Sequence, residues 1–303
     1  MDLRSLEYFV AVAEELSFTR AAQRCDVTQP TISGQVQALE REVGESLFDR
    51  SSRGIALTDG GRTLLPYARR CLAAVEDAKA EFSARAGLLR GALHIGTGGG
   101  IEHTTVPTLL GRMRHRHPGI EVHVTEATSA PLVEMVLQGR LNAAVIARPA
   151  EPLPAAITAS TMFSDRLVAV FDPAVVELAG DPVPLQALTG ESIISYPRTS
   201  ALRSRLEDVA AGIGVAVTVN YVANDVRLQV AFAREGVGVA ICAGSDPALA
   251  DLAGLTVRPI SPPVDFDKIL IWRHDITPCA PLRAFLQLWW DFRARDERVE
   301  KTA

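Results

Sequence analysis

A short polar stretch near the start of the chain carries side chains that can contact nucleic-acid bases. Thr28, Gln29 and Ser33 lie in the run TQPTISGQVQALEREVG, and Gln37 follows Ser33 by one helical turn. Hydroxyl and amide groups of this kind hydrogen-bond to base edges in the major groove. Solvated helix faces normally carry charged residues, so an uncharged polar face is unusual. The stretch therefore predicts a surface that contacts DNA.

The elements around this stretch predict a helix-turn-helix. Apolar residues recur at helical spacing over Leu3 to Leu16, and a second short helix is predicted over Phe18 to Cys25. Thr28 is expected to cap a third helix, with Pro30 in its first turn and Gly44 just past its end. A short helix, a tight turn and a second helix form the motif that enters the major groove. A small solvated helical bundle is the structural alternative.

A β-hairpin and a long helix are predicted next. The apolar runs on either side of Ser51 to Gly54 favour a hairpin, or wing, and Arg50 and Arg53 near its tip can contact phosphates or the minor groove. Surface ion pairs are the alternative role for both arginines. Thr58 is expected to cap a helix that reaches about Arg85 and carries an apolar seam suited to a partner helix. The residues predicted to contact DNA are Thr28, Gln29, Pro30, Thr31, Ser33, Gln37, Arg50 and Arg53.

Three motifs in this region keep a characteristic spacing: TQPTIS, LEREVGESLFDR and LTDGG. With them, residues 1–86 resemble the DNA-binding domain and linker helix of LysR-type transcriptional regulators. The resemblance implies linker helices that pair between subunits, a homo-oligomer built as a dimer of dimers, and double-stranded DNA with an interrupted inverted repeat as a partner. RNA polymerase is a further partner that such a regulator can contact. Many family members carry arginine where this chain has Gly34, so a contact from that side chain is lost here.

From Gly91 on, short apolar strands alternate with helices, which predicts an α/β module. A helix over Pro281 to Arg293 is expected to return to the first lobe of this module. The arrangement resembles the two-lobed, periplasmic-binding-protein-like effector domain of the same family, with a hinge where the chain crosses twice between lobes. The predicted strands are Ala92 to Gly96, Val122 to Thr125, Ala143 to Ala147, Arg166 to Phe171, Ser192 to Ser195, Val217 to Val222, Val237 to Ile241 and Lys268 to Arg273.

The expected fold class is α/β with an all-α N-terminal part. A winged helix-turn-helix domain is assigned to residues 1–58, a linker and dimerisation helix to 59–90, and the effector-binding domain to 91–303. Within that domain, lobe I is expected over about 91–162 and 267–295, and lobe II over about 163–266.

Small, hydroxyl-bearing and cationic residues follow the predicted strands, at the places where sheet ends meet helix N-termini. Backbone amides and the helix dipole favour anions there. Glycines let the backbone approach a ligand, hydroxyls donate to a carboxylate, and arginine binds one with two hydrogen bonds. Such loops also use these residues for turns and caps, and Asn224 is expected to cap a helix first and contact ligand second. The candidate effector-binding residues are Thr97, Gly98, Gly99, Gly100, Thr128, Ser129, Arg148, Pro197, Arg198, Thr199 and Asn224.

These residues predict a small organic anion as the effector, without fixing its identity. The Tyr196-Pro197 pair that opens one loop, with Arg148 at the end of the third strand of lobe I, resembles regulators that sense aromatic acids or muconate-like diacids. Arg198 adds a charge in that loop that alters what an acid would meet.

The composition of the chain and its lack of other motifs exclude other classes of protein. The chain is 48% hydrophobic and 22% charged, as in folded soluble proteins, and it has no membrane-length apolar run and no secretory leader, so a cytoplasmic location is expected. The four cysteines lack metal-ligand spacing, and His115 and His117 fall on different helix faces, so neither a metal nor a cofactor is expected. Ile101 replaces the third glycine of a dinucleotide fingerprint. No nucleophile elbow, P-loop or paired-carboxylate site is present, so the chain is not expected to be an enzyme.

Two hypotheses from different classes follow. In the favoured one, the chain is a DNA-binding regulator, and effector binding between the lobes alters how the paired domains sit on DNA or bend it. In the alternative, it is a cytoplasmic small-molecule binding protein whose N-terminal helices serve only dimerisation. A DNA affinity that falls steeply with salt separates the two.

Overall fold

The computed structural model describes residues 1–51, 54–85, 89–101, 104–250 and 252–300. The chain divides into two units. The first comprises Met1–Gly91 together with Gln138–Arg140, and the second comprises Ala92–Leu137 and the residues from Leu141 onward.

The first unit is helical apart from one hairpin, and its helices begin at side-chain caps. The Ser17 hydroxyl accepts the Arg20 amide (3.3 Å), and Gly44 ends the third helix with φ +79°, a left-handed conformation that glycine adopts without strain. The hairpin strands pair antiparallel, as the sequence predicted. The elements are α1 (Leu3–Glu15), α2 (Phe18–Arg24), α3 (Gln29–Val43), β1 (Phe48–Ser51), β2 (Gly54–Leu57) and α4 (Asp59–Arg85).

The core of the first unit is built around aromatic rings. Phe9 of α1 is fully buried, and its ring centroid lies 5.5 Å from that of Phe48 and tilted to it. Phe18 approaches Phe48 edge-on at 5.7 Å. Ile32 and Val36 bury one face of α3 against the same core. The opposite face of α3 is therefore held at the surface by packing rather than by its own polarity.

The elements that follow form a ten-stranded sheet flanked by helices. The strand order is β4-β3-β5-β12-β6-β10-β8-β9, and β11 pairs with β6 and β7. These elements are β3 (Gly91–Thr97), α5 (Thr105–Arg116), β4 (Ile120–Glu126), α6 (Ser129–Leu137), β5 (Ala143–Ala147), β6 (Ile157–Phe171), β7 (Val183–Pro184), β8 (Ile193–Ser195), α7 (Ala201–Gly212), β9 (Val219–Val222), α8 (Val226–Arg234), β10 (Val239–Ala243), β11 (Thr256–Ser261), β12 (Asp265–Arg273) and α9 (Ala280–Glu300).

The long strands β6 and β12 carry the chain between the lobes of the second unit. The first part of β6, Ile157–Arg166, pairs with β12, whereas Leu167–Phe171 pairs with β10 and β11 of lobe II. The Leu167 amide donates to the Val264 carbonyl (2.9 Å) at the crossing. The sequence predicted the two crossings but began the first strand at Arg166, and it missed β11. The first part of β6 and the whole of β11 contain polar or exposed positions, so their hydropathy does not mark them as core strands.

The helix α9 closes lobe I, as the sequence predicted for Pro281 to Arg293. Trp289 is buried there, and its indole N–H donates to the Ser160 hydroxyl of β6 (3.1 Å). Burying an indole without a partner for its N–H would be costly, so Ser160 is a structural residue. None of the helices in the described part of the chain combines the length and apolarity needed to span a membrane.

Candidate DNA-binding and effector sites

The start of α3 presents the side chains that the sequence assigned to DNA. The Thr28 hydroxyl accepts the Thr31 amide (3.4 Å), and the two threonine hydroxyls lie 2.8 Å apart, which completes the expected cap. Gln29 and Pro30 are exposed in the first turn, and Gln37 is exposed two turns later. These positions form one surface, on which Ser33 is half-buried.

Gln35, a further polar residue of α3, does not belong to that surface. Its amide oxygen accepts a hydrogen bond from the buried Ser5 hydroxyl of α1 (3.2 Å). Gly34 lies on the exposed face, and a Cβ atom built there would meet no protein atom within 4 Å. Nothing inside the described protein therefore requires glycine at position 34.

The wing is tied to α3 by a carboxylate. Glu40 Oε1 accepts the backbone amides of Leu47 (2.8 Å) and Phe48 (3.3 Å), so the hairpin leaves the end of α3 in a fixed direction. The Thr58 hydroxyl accepts the Gly61 amide (3.0 Å), which confirms the predicted cap of α4. Arg53 lies outside the described residues, as does the side chain of Arg50, so their predicted DNA contacts remain predictions.

In the second unit, hydroxyl groups from both lobes meet. Thr128 Oγ1 donates to Thr199 Oγ1 (2.8 Å), and the Ala130 amide of α6 donates to the Thr199 carbonyl (3.3 Å). A cavity of about 700 Å³ opens beside this contact, lined by Ser129, Arg198 and Thr199 among others. This cavity, called the inter-lobe cavity below, is lined by three of the predicted effector-binding residues, Ser129, Arg198 and Thr199. A fourth, Thr128, contacts Thr199 beside it.

The glycine loop after β3 touches lobe II at a different place. A Cβ atom on Gly99 would lie 3.6 Å from the Asn224 carbonyl oxygen, and one on Gly100 would lie 2.9 Å from an Asp246 carboxylate oxygen. A side chain at position 99 would make ordinary contact with the opposite lobe, whereas one at position 100 would crowd the Asp246 carboxylate. The positive φ of Gly100 (+74°) favours glycine there as well. Glycine at position 100 therefore permits a close approach of the lobes, whereas the predicted approach of a ligand to this loop stays a prediction.

Lys268 is a charged residue of this region that sequence reasoning missed. Its ammonium group is buried and donates to the Gly99 carbonyl (3.0 Å). Thr97 is also buried, and its hydroxyl donates to the Gly98 carbonyl (2.6 Å). The signal for Lys268 was present in the sequence, because a lysine interrupts the apolar strand DFDKILIWR. A lysine in a buried strand needs a specific polar partner.

Two further predicted residues have other local roles. Asn224 does not cap α8; the Asp225 carboxylate accepts the Arg227 amide instead (2.8 Å), so the expected cap is wrong by one residue. The Pro197 carbonyl accepts the Ser200 amide (2.9 Å), which shapes the turn before α7.

Arg148 is placed apart from the glycine loop. Its Nε donates to Asp267 (3.3 Å) and its Nη2 to the Thr161 hydroxyl (3.1 Å). Asp267 and Lys268 are neighbours in β12, and neighbouring strand residues point to opposite faces. Arg148 therefore lies on the sheet face opposite the Lys268 ammonium group, and it lines a second cavity rather than the inter-lobe cavity.

Tyr196, which opens the lobe II loop, has a structural role. Its side chain is buried, and its hydroxyl accepts the Ala243 amide (3.0 Å). Burial raises the pKa of the Tyr196 phenol well above its usual value, and the nearby Cys242 thiol adds to this. The phenol therefore stays neutral and fixes the start of the loop that carries Arg198 and Thr199.

Family models cover both units of the chain. The model of the lysR-family bacterial regulatory helix-turn-helix matches residues 3–62, and that of the LysR substrate binding domain matches residues 86–292. The chain belongs to the LysR family of transcriptional regulators. The regulator is 34% identical over 282 residues to the HTH-type transcriptional regulator IlvR of Caulobacter vibrioides, covering 91% of this chain and 93% of that protein. It is 32% identical to ShiR of Corynebacterium glutamicum over 80% of this chain and 82% of that protein.

Solved full-length regulators share its fold. A full-length OxyR variant from Pseudomonas aeruginosa matches with a TM-score of 0.71 at 22% identity, covering 95% of this chain and 97% of that one. CbnR in complex with its target DNA matches with a TM-score of 0.67 at 24% identity, covering 95% and 98%. The regulator is thus a DNA-binding protein with a substrate-binding domain, and the alternative of a binding protein without a DNA function is set aside. Its relatives are transcriptional regulators rather than enzymes.

Proposed function

We propose that the regulator binds a small organic carboxylate between the two lobes of its second unit and thereby changes how paired DNA-binding units hold an interrupted inverted repeat. The observation that carries this proposal is the Thr128 to Thr199 contact, because it joins the lobes directly beside a cavity that contains Arg198. A carboxylate that binds both hydroxyls or the guanidinium group would change the free energy of lobe closure.

Assembly as a dimer of dimers is part of the proposal. Each chain carries one α3, so two chains are needed for two half-sites. The edge strands of the ten-stranded sheet expose apolar side chains, with Val124 on β4 at 52% and Val222 on β9 at 60% exposure. Exposed apolar edges favour pairing with another chain. The regulator is further proposed to act in the cytoplasm and to contact RNA polymerase.

The decisive experiment is a titration of the full-length protein against the DNA upstream of its own gene. Affinity and footprint are followed at several salt concentrations, with a panel of aromatic and aliphatic carboxylates. We expect saturable, salt-sensitive binding over two half-sites, and one acid that alters the footprint. If the protein gives a normal footprint but no acid changes it, and no acid raises the melting temperature, the effector is not one of these carboxylates.

Gln29→Ala tests base contact by α3. We expect cognate affinity to fall by about 1 to 3 kcal/mol, with binding to unrelated DNA almost unchanged, because an amide contacts base edges rather than phosphates. The measurement is competition binding on cognate and scrambled fragments. Gln186→Ala, the same change at an exposed site of the second unit, is the control. Equal losses on both fragments would show that Gln29 does not discriminate between bases.

Gly34→Ala separates stability from DNA binding. Alanine meets no protein atom there and favours helix, so the free energy of unfolding of the first unit should rise by about 0.5 to 1 kcal/mol. DNA affinity should fall, because a methyl group keeps the helix backbone farther from DNA than glycine does and, unlike the arginine of many family members, supplies no hydrogen bond in exchange. Gly111→Ala in α5 has the same open surroundings and serves as the control. Unchanged DNA affinity in a stabilised Gly34→Ala variant would place this face of α3 away from the groove.

A further inference from the structure

The second cavity, about 520 Å³, lies at the hinge where β6 and β12 pass between the lobes. Three arginines line it: Arg148 follows β5 in lobe I, Arg166 lies on β6 at the crossing, and Arg205 lies on α7 in lobe II. Three aspartates line it as well: Asp165, Asp265 and Asp267. Side chains from both lobes therefore meet in one solvent-accessible space.

The aspartates of this hinge cavity are already engaged by the protein. Asp267 accepts the Ser164 hydroxyl (2.8 Å) and Arg148 Nε (3.3 Å) through its two oxygens. Asp165 accepts the Arg166 amide (2.7 Å) with one oxygen and the Ser245 hydroxyl (2.7 Å) with the other. Asp165 and Asp267 are thus each held in place by protein donors on both of their oxygens.

Two of the arginines have N–H groups that the described part of the protein does not use. Arg166 pairs with Asp265 through Nε (3.4 Å), and Arg205 donates through Nε to the Asp265 carbonyl (3.1 Å). Among the described residues, the terminal nitrogens of Arg166 and Arg205 have no hydrogen-bond partner within the protein. Guanidinium groups present several donors in a planar fork that matches carboxylate and phosphate oxygens. The terminal nitrogens of Arg166 and Arg205 are therefore available to bind the oxygens of an anion.

We propose that this hinge cavity is a second ligand site, separate from the inter-lobe cavity, and that it binds a compact dianion with phosphate or carboxylate oxygens. Such a ligand links Arg148 of lobe I to Arg205 of lobe II across the crossing strands. Its binding free energy therefore depends on the angle between the lobes. The ligand would shift the equilibrium between lobe arrangements, as a ligand in the inter-lobe cavity would. Arg148, which the sequence assigned to the effector loops, belongs to this site.

The test uses the full-length protein and two probes, inorganic phosphate and succinate, with potassium chloride at matched ionic strength as reference. Binding is followed by calorimetry and by the melting temperature of the second unit. We expect one probe to bind saturably, and Arg205→Gln to weaken that binding about tenfold or more, because two charge-assisted hydrogen bonds are lost. Arg205 is exposed and its side chain forms no ion pair in the described structure, so this variant should fold. The preferred probe distinguishes a phosphate site from a dicarboxylate site.

Two further variants make the result decisive. Arg283→Gln changes an exposed arginine of α9 that donates to the Pro278 carbonyl, and it should bind the probe like the wild type. Arg198→Gln alters the inter-lobe cavity and should also leave this binding unchanged. Binding that Arg198→Gln removes and Arg205→Gln preserves would assign the probe to the inter-lobe cavity and overturn the hinge site. Absence of saturable binding by either probe would overturn it too. Neither result bears on DNA binding or on the carboxylate panel.

Discussion

Phe9→Ala is expected to abolish DNA binding while the second unit stays folded. Phe9 is fully buried and packs against Phe48, so its removal leaves a cavity at the centre of the first unit. Such truncations cost about 3 to 5 kcal/mol, against a total of about 5 to 15 kcal/mol for a typical domain. The first unit should therefore lose most of its stability. The orientation of α3 depends on this core, because Ile32 and Val36 are buried in it.

Calorimetry of the full-length variant provides the measurement. The transition of the first unit should move far down in temperature, whereas that of the second unit should keep its position. Leu3→Ala is the matched control, because Leu3 lies on the same helix at 46% exposure and should change stability by less than about 0.5 kcal/mol. A single transition that shifts as a whole would mean that the two units unfold as one.

The helix-turn-helix was predictable because its information is local. Caps at Ser17 and Thr28, the C-terminal Gly44 and the apolar spacing of α1 and α3 each act within a few residues, and the structure has each of them. Local signals of this kind are readable from one sequence. The exposed residues Gln29, Pro30, Thr31 and Gln37 follow directly from which face of α3 is apolar.

The hinge was harder to predict because its order depends on distant partners. The first half of β6 contains Ser160, a polar residue in a buried place, which is satisfied by the indole of Trp289 far along the chain. Arg148 follows a strand as predicted, but its direction is set by Asp267 of β12. No local pattern specifies either pairing. The sequence therefore could not assign Arg148 and Lys268 to opposite faces of the sheet, and its assignment of the neighbouring loops to a ligand site stays a prediction.

Gly238→Ala is expected to destabilise the second unit strongly and to disable its response to an effector. A Cβ atom at this position would lie 2.0 Å from the Ser192 carbonyl oxygen, and backbone cannot move aside as a flexible side chain can. The same carbonyl accepts the Val239 amide (2.8 Å), which starts the parallel pairing of β10 with β8. Overpacking against backbone costs about 3 kcal/mol, so we expect a loss of that size in the free energy of unfolding, measured by denaturant titration.

The consequence for function follows from where β8 leads. It ends at Ser195, and the next residues form the loop that carries Arg198 and Thr199 into the inter-lobe cavity. If the strands separate, Thr199 moves away from Thr128 and the lobes lose that contact. Gly212→Ala, at an open position of α7, should change stability by less than about 1 kcal/mol and keep the response. A fully stable Gly238→Ala protein would mean that β8 and β10 tolerate a wider separation, and that closure of the lobes does not depend on their register.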